Sequence, residues 1–218
     1  MSMSQPQAAI RRKLLASTRA AKPARARPSA NGRGRTLPHA WFMTDPKRTP
    51  DPAAIAAQLP KGWGVVYRHF GAPDRFTTGA RLARICKQRG LILLVSADPA
   101  LAAAIGADGV HWPEARLRGV RHRSPYFIET ASAHSRAGLA HAHALKLDAA
   151  FLSAVFPSNS PSAGKAIGAL RFAAIARAAP LPVYALGGIN AENAARIAKH
   201  SAGWAAIEAV MSGWPGRT

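Results

Sequence analysis

From residue 38 onward, apolar runs of four to seven residues alternate with longer segments whose apolar positions recur every three or four. Short runs rich in Val, Leu, Ile and aromatics mark buried strands, and the wider spacing marks amphipathic helices. The pattern predicts strands over 40–44, 65–70, 91–95, 109–112, 126–130 and 149–155, a seventh within 181–190, and an eighth over 204–207. Between them it predicts helices over 52–59, 77–89, 99–105, 136–145, 169–178 and 191–199. The fourth connection is brief and poorly defined, and the last helix is nearly missing because Gly213 and Pro215 follow at once. Eight βα units in about 180 residues predict an α/β fold, a compact (β/α)8 TIM barrel. A doubly wound open sheet is the alternative. The count of eight and the lack of a Gly-x-Gly-x-x-Gly turn after the first strand argue against it.

Residues 1–36 break this pattern. They hold nine of the thirty Lys and Arg residues, no acid, and little to bury. The composition predicts a disordered basic tail over 1–36, with a transient helix over 10–20, ahead of a barrel domain over 37–218. The net charge is +20, of which about +11 belongs to the body. Such a surplus favours anionic ligands in general, and nucleic acid is expected only through the tail. The single cysteine, Cys86, cannot form an internal disulfide and reads as a small core residue, which fits a reducing cytoplasmic setting. No apolar run reaches the length of a membrane span. The sequence is compatible with a homo-oligomer and does not demand one.

In a TIM barrel, chemistry sits at the C-terminal strand ends and in the loops that follow them, with phosphate sites usually after strands seven and eight. The seventh strand ends in Gly187 and Gly188, and Asn190 reads as the N-cap of the helix over 191–199. Two glycines let the backbone approach a ligand closely, and a helix start directs N–H groups toward it, so this turn is the first candidate anion cradle.

Several segments then agree in order. Gly106-Ala-Asp-Gly-Val-His111, Ser132-Ala-His-Ser135, Val155-Phe-Pro-Ser158 and Ala185-Leu-Gly-Gly-Ile-Asn190 resemble the signatures of the thiamine phosphate synthases and the related TenI-type thiazole tautomerases. Arg68 matches that family's second-strand arginine, and the resemblance runs from about Trp41 to Val210. It implies a phosphorylated small-molecule ligand: a thiazole phosphate held at Gly187 and Gly188, with Arg68, Ser132, Ser158 and Lys165 as further substrate or phosphate contacts. For a synthase it implies joining a pyrimidine diphosphate to a thiazole phosphate with Mg2+; for a tautomerase it implies proton transfer by the histidine at His134, and no metal. Histidine suits proton transfer because its pKa lies near neutrality.

The resemblance also fails at defined places. Ala97 and Arg116 stand where the family carries its magnesium carboxylates, and Asp98 and Glu114 are the nearest acids. The family's Thr-x-Thr-Lys becomes Ser158-Asn-Ser-Pro161, with Lys165 displaced by four. Glu208 replaces a small hydroxyl residue near the phosphate, where a carboxylate repels unless it is paired. The expectation is an enzyme of thiamine biosynthesis, synthase or tautomerase. The alternatives are a non-catalytic paralogue that binds a phosphorylated ligand without a magnesium site, and a nucleic-acid binder acting through the tail.

Overall fold

Each of the eight apolar runs becomes a short strand, and each strand pairs in parallel with the next. The computed structural model describes residues 4–28, 34–119, 128–158, 160 and 164–215. The strands are β1 (Ala40–Met43), β2 (Gly64–Tyr67), β3 (Ile92–Ser96), β4 (Gly109–Trp112), β5 (Ile128–Ala133), β6 (Ala149–Leu152), β7 (Val183–Leu186) and β8 (Gly203–Ala206). β8 pairs with β1, which closes the barrel. The helices are α1 (Gln5–Arg19), α2 (Pro52–Ala56), α3 (Arg75–Arg89), α4 (Pro99–Ala104), α5 (Arg136–Ala144), α6 (Gly168–Ala178), α7 (Ala194–Ala198) and α8 (Glu208–Gly213). A 3-10 turn over Glu114–Gly119 fills the connection after β4.

Alternation along each strand sends one set of side chains outward to the helices and the other into the barrel. Trp41, Phe151 and Tyr184 fill the interior, with ring centroids 5.6 Å, 6.0 Å and 5.0 Å apart. The interior turns polar toward one end. His111 lies 5.2 Å from Phe151, and its ring nitrogens bond Thr130 and Ser132.

The expected disordered tail does not hold for residues 4–28. Residues 1–3 and 29–33 of that expectation lie outside the described residues. α1 is a 15-residue helix with Pro6 in its first turn, and it packs along α7 and α8. Leu14 is fully buried, Ser17 Oγ accepts from Trp204 Nε1 at 2.9 Å, and Arg11 donates to the carbonyl of Gly213. The reason lies at the other end of the chain. α7 and α8 have only five and six residues, and α1 occupies the outer wall that a full last helix would form. Beyond α1 the chain crosses the N-terminal ends of the strands as a strap. Ala24 and Ala26 bury against Leu37 and the barrel interior, and the Arg27 N–H donates to Asp148 at 2.7 Å.

Element boundaries also differ: β2 and β6 end at Tyr67 and Leu152, short of the expected 70 and 155, and β5 and α7 shift as well. Residues 126 and 127 of the expected fifth strand lie outside the described residues, and the strand runs on through Ala133. Ser132 is therefore a barrel-interior residue. At α7, Asn193 is the N-cap and the helix begins at Ala194. Asn190 instead forms an Asx turn, its Oδ1 accepting from the N–H groups of Glu192 and Asn193.

Candidate functional site

The C-terminal ends of β1, β2, β6, β7 and β8 surround a cleft of about 500 Å3. Gly187 and Gly188 line it, with Arg48 and Arg68 on the wall nearest β1 and Ser153 and Ser158 on the wall from β6. Both glycines have positive φ, +91° and +64°. A Cβ on Gly188 would collide with the carbonyl of Pro157, so the close crossing of the β6 loop requires glycine independently of any ligand. The Phe156 N–H donates to the Gly187 carbonyl at 3.0 Å, and Asn193 Nδ2 to the Gly188 carbonyl at 2.8 Å. This bonding holds the turn in place at the cleft wall.

The charges of the cleft are joined in pairs. Asp45, just past β1, accepts from Arg48 Nη2 at 3.0 Å and Arg68 Nη2 at 3.5 Å. Arg68 also donates from Nε to the Thr44 carbonyl at 2.9 Å, which fixes its guanidinium across the mouth of β1. Burial alone would raise the Asp45 carboxyl. Hydrogen bonds from the Arg48 side chain and backbone, with the charge of Arg48, bring it below the usual value instead. Arg48 Nη1 reaches Glu208 Oε1 at 3.3 Å, so the carboxylate that entered this wall is paired. On the facing side Lys13 of α1 holds Glu192 at 2.8 Å, and Ile10 of α1 lines the cleft.

A second group stands at the edge of the cleft. His134 Nδ1 bonds Ser153 Oγ at 3.0 Å. Glu114 Oε2 accepts from the His134 backbone N–H at 2.7 Å and lies 3.9 Å from its Nε2. Glu114 thus anchors the backbone of His134, and the ring itself is hydrogen-bonded to a hydroxyl that lines the cleft.

The structure brings together Arg68, Ser158, Gly187 and Gly188 of the sequence candidates, with His134 one hydrogen bond away. Ser132 is not among the cleft-lining residues; its hydroxyl bonds His111 Nε2 at 2.9 Å. Burial, with the nearby Arg68 charge, pushes the His111 pKa down to about 3, so its ring is neutral. Lys165 is exposed outside the cleft wall, and residues 159 and 161–163 of its loop lie outside the described residues.

Asp98 and Glu114 do not form a magnesium site. The backbone turns at Ala97 with φ +55°, and Asp98 beyond it becomes the N-cap of α4, accepting from the Leu101 N–H at 2.9 Å. Its other oxygen pairs with Arg75 Nη1 at 2.7 Å, while Arg75 Nη2 donates to the Ser96 carbonyl. Glu114 is occupied by His134. A guanidinium thus stands at the end of β3 beside the acid nearest the expected metal position, and among the described residues no three acids, histidines or cysteines converge. The residues present do not fit the ion.

Sequence reading missed Arg48, Ser153 and Ile10. Arg48 carries no local signal beyond its place in the loop after the first strand. Its role depends on partners from loops more than 150 residues apart in the chain.

Comparison with known proteins then places the chain. The family described as "Thiamine monophosphate synthase" matches residues 42–210. A thiamine-phosphate synthase from Methylococcus capsulatus is 36% identical over 170 residues, covering 73% of this chain and 74% of that protein. One from Thiobacillus denitrificans is 34% identical, covering 74% of this chain and 81% of that protein. The solved thiamine phosphate pyrophosphorylase from Pyrococcus furiosus superposes with a TM-score of 0.66 at 24% identity, covering 81% of this chain and 88% of that one. The chain belongs to the thiamine monophosphate synthase family.

Proposed function

We propose that this chain is a thiamine-biosynthesis enzyme that seats a thiazole phosphate in the β7–β8 cleft and joins it to a pyrimidine diphosphate, forming thiamine phosphate. One observation carries the reading: the Gly187–Gly188 turn lines the same cleft as the Arg68 guanidinium, at the strand ends where this fold binds phosphate. Expulsion of pyrophosphate builds negative charge on the leaving group, and preorganised cations stabilise it without reorganisation. With no fitted metal site, that work falls to Arg68, which Asp45 and the Thr44 carbonyl already orient, and to Arg48. Arg48 reaches the ligand by exchanging Glu208 for it.

A second reading, tautomerisation of a thiazole phosphate, is favoured by the hydrogen bond of the His134 ring to Ser153 in the cleft, with Glu114 3.9 Å from the other ring nitrogen. Moving a proton between two ring positions needs one group that both takes and gives it, and an imidazole carries a donor and an acceptor nitrogen. If the carboxylate orients the ring and Ser153 passes the proton into the cleft, no metal takes part. A carrier that binds the thiazole phosphate without turning it over is the remaining alternative.

Product analysis with thiazole phosphates, with and without the pyrimidine diphosphate and with either Mg2+ or a chelator, tests these readings. Thiamine phosphate formed only with both substrates supports the synthase, and an isomerised thiazole formed from one substrate supports the tautomerase. His134→Ala lowers tautomerase turnover by about 100-fold or more if the relay operates. Binding without turnover supports the carrier. Failure to bind any thiazole phosphate overturns all three.

A further inference from the structure

Two acids that follow strands at the cleft end orient arginines instead of gathering around a cation. Asp45, after β1, holds Arg48 and Arg68. Asp98, after β3, holds Arg75, the first residue of α3. The Arg75 backbone is fixed as well, because its carbonyl accepts from the hydroxyl of Tyr67, the last residue of β2, at 2.9 Å. Its head group then reaches over the end of β3, with Nη1 2.7 Å from Asp98 Oδ2 and Nη2 3.0 Å from the Ser96 carbonyl.

The strand register places the Arg68 and Arg75 guanidiniums relative to each other. Met43 pairs with Val66 and Val95 with Tyr67, so Thr44 and Ser96, one residue further on, flank the Tyr67–Arg68 step from either side. Arg68 Nε donates to the Thr44 carbonyl, and Arg75 Nη2 to the Ser96 carbonyl. β1 and β3 are two strand spacings apart, so about 9–10 Å separates the two head groups across the end of β2. That gap suits a diphosphate with a charge-assisted hydrogen bond at each end.

Arg75 keeps the capacity for such a ligand. A guanidinium has five N–H donors, two on each terminal nitrogen. Among the described residues Nη1 uses one on Asp98 and Nη2 one on Ser96, which leaves a second N–H on each, and the side chain is 20% exposed. Phe70 lies over the guanidinium, its ring centroid 5.6 Å from Cζ, and shields that face of the charge from water. Both oxygens of Asp98 are engaged, one by Arg75 and one by the Leu101 N–H. Ala97, where the family carries an acid, offers only a methyl.

We infer that Arg75, together with Arg68, holds the diphosphate of the pyrimidine substrate and the pyrophosphate product in place of a divalent cation, so that the reaction of this chain is metal-independent. The inference rests on the synthase reading above. In that reaction the carbon–oxygen ester bond to the diphosphate breaks, and its electron pair departs with the diphosphate. The thiazole ring nitrogen supplies the pair for the new carbon–nitrogen bond, and no proton moves. Negative charge therefore grows on the diphosphate alone, where a guanidinium already fixed by Asp98 and Ser96 meets it without rearranging.

Calorimetric titration of the full chain with inorganic pyrophosphate and, separately, with a thiazole phosphate tests the inference, each in a chelator and in excess Mg2+. Pyrophosphate is expected to bind in the chelator, and Mg2+ is expected not to tighten it. Arg75→Gln should weaken pyrophosphate by about 10-fold or more and leave thiazole phosphate within about 2-fold of wild type. Arg75→Lys keeps a charge for Asp98 without the planar fork, and should lose about 3-fold or more. Tm is measured for both variants; if the glutamine variant does not fold, the lysine variant carries the test. No pyrophosphate binding in the chelator, tighter binding with Mg2+, or equal losses of both ligands in the variants overturns the inference. So does an Arg75→Gln chain that binds pyrophosphate like wild type. Pyrophosphate held through Arg75 by a chain that binds no thiazole phosphate leaves this anion site standing and overturns the synthase reading.

Discussion

At the cleft end of the barrel, each cation described at the wall already has a carboxylate beside it: Arg48 and Arg68 share Asp45, Arg48 also holds Glu208, and Lys13 holds Glu192. At the opposite end, Lys22, Arg25 and Lys199 face water without such partners among the described residues. The difference shows why a net charge of +20 says little about the chemistry of the cleft. Formal charge accumulates where nothing balances it. At the site it is balanced, so a ligand must compete for an arginine that is already engaged.

The two ends meet in α1, which reaches the cleft through Ile10 and leads into the strap at Lys22. Breaking α1 should disturb both. Leu14→Ala removes a fully buried side chain and is expected to cost about 2–5 kcal/mol, read from chemical denaturation. If the helix were incidental to the fold, the cost would fall below ~0.5 kcal/mol.

Gly188→Ala strikes the cleft end alone. The left-handed backbone and the collision with Pro157 together predict a loss of about 3 kcal/mol and a weaker thiazole phosphate complex. Calorimetry showing native stability would mean that the β6 loop yields easily.

Between the ends lies His111, and acid tests it. Its folded pKa is about 3, against 6.5 for the free group. In that window the unfolded chain binds a proton that the folded chain does not. The contribution is complete above about pH 6.5 and falls by about 1.4 kcal/mol for each unit toward pH 3. His111→Gln, which keeps donors and acceptors near Thr130 and Ser132, should flatten the decline between about pH 6 and pH 5. An unchanged slope in that variant would place the sensitivity elsewhere.

The smallest effect sharpens the contrast itself. Glu208→Gln frees Arg48 for a ligand, and thiazole phosphate affinity should rise by about 3–10-fold, modest because Glu208 is 61% exposed. Titration of wild type and variant side by side reads the change; weaker binding would make Glu208 a ligand contact rather than a competitor.

The barrel was legible because its strands are short, apolar and regularly spaced, a pattern that survives three-residue shifts at the C-terminal ends of β2, β5 and β6. α1 was not. With Ile10, Leu14 and Leu15 among arginines and alanines, it has too few apolar residues to imply burial, and the surface it fills is built almost 200 residues later. At the site, Gly187, Gly188 and Arg68 were readable from their places at strand ends. Arg48 was hidden because its meaning lies in Asp45 and Glu208 together. Asp98 drew attention as a carboxylate near a metal position, although Asp98-Pro99 ahead of a helical run is also a helix start, and the structure uses it so.

The packing of α1 bears on how the chain can be handled. Composition alone would invite trimming it at residue 37 to leave a tidy barrel. That cut would bare the faces of α7 and α8, leave the Trp204 indole N–H without Ser17, and expose an apolar strip beside the cleft. A trimmed chain should therefore self-associate, and residues 4–28 act in practice as its solubility element.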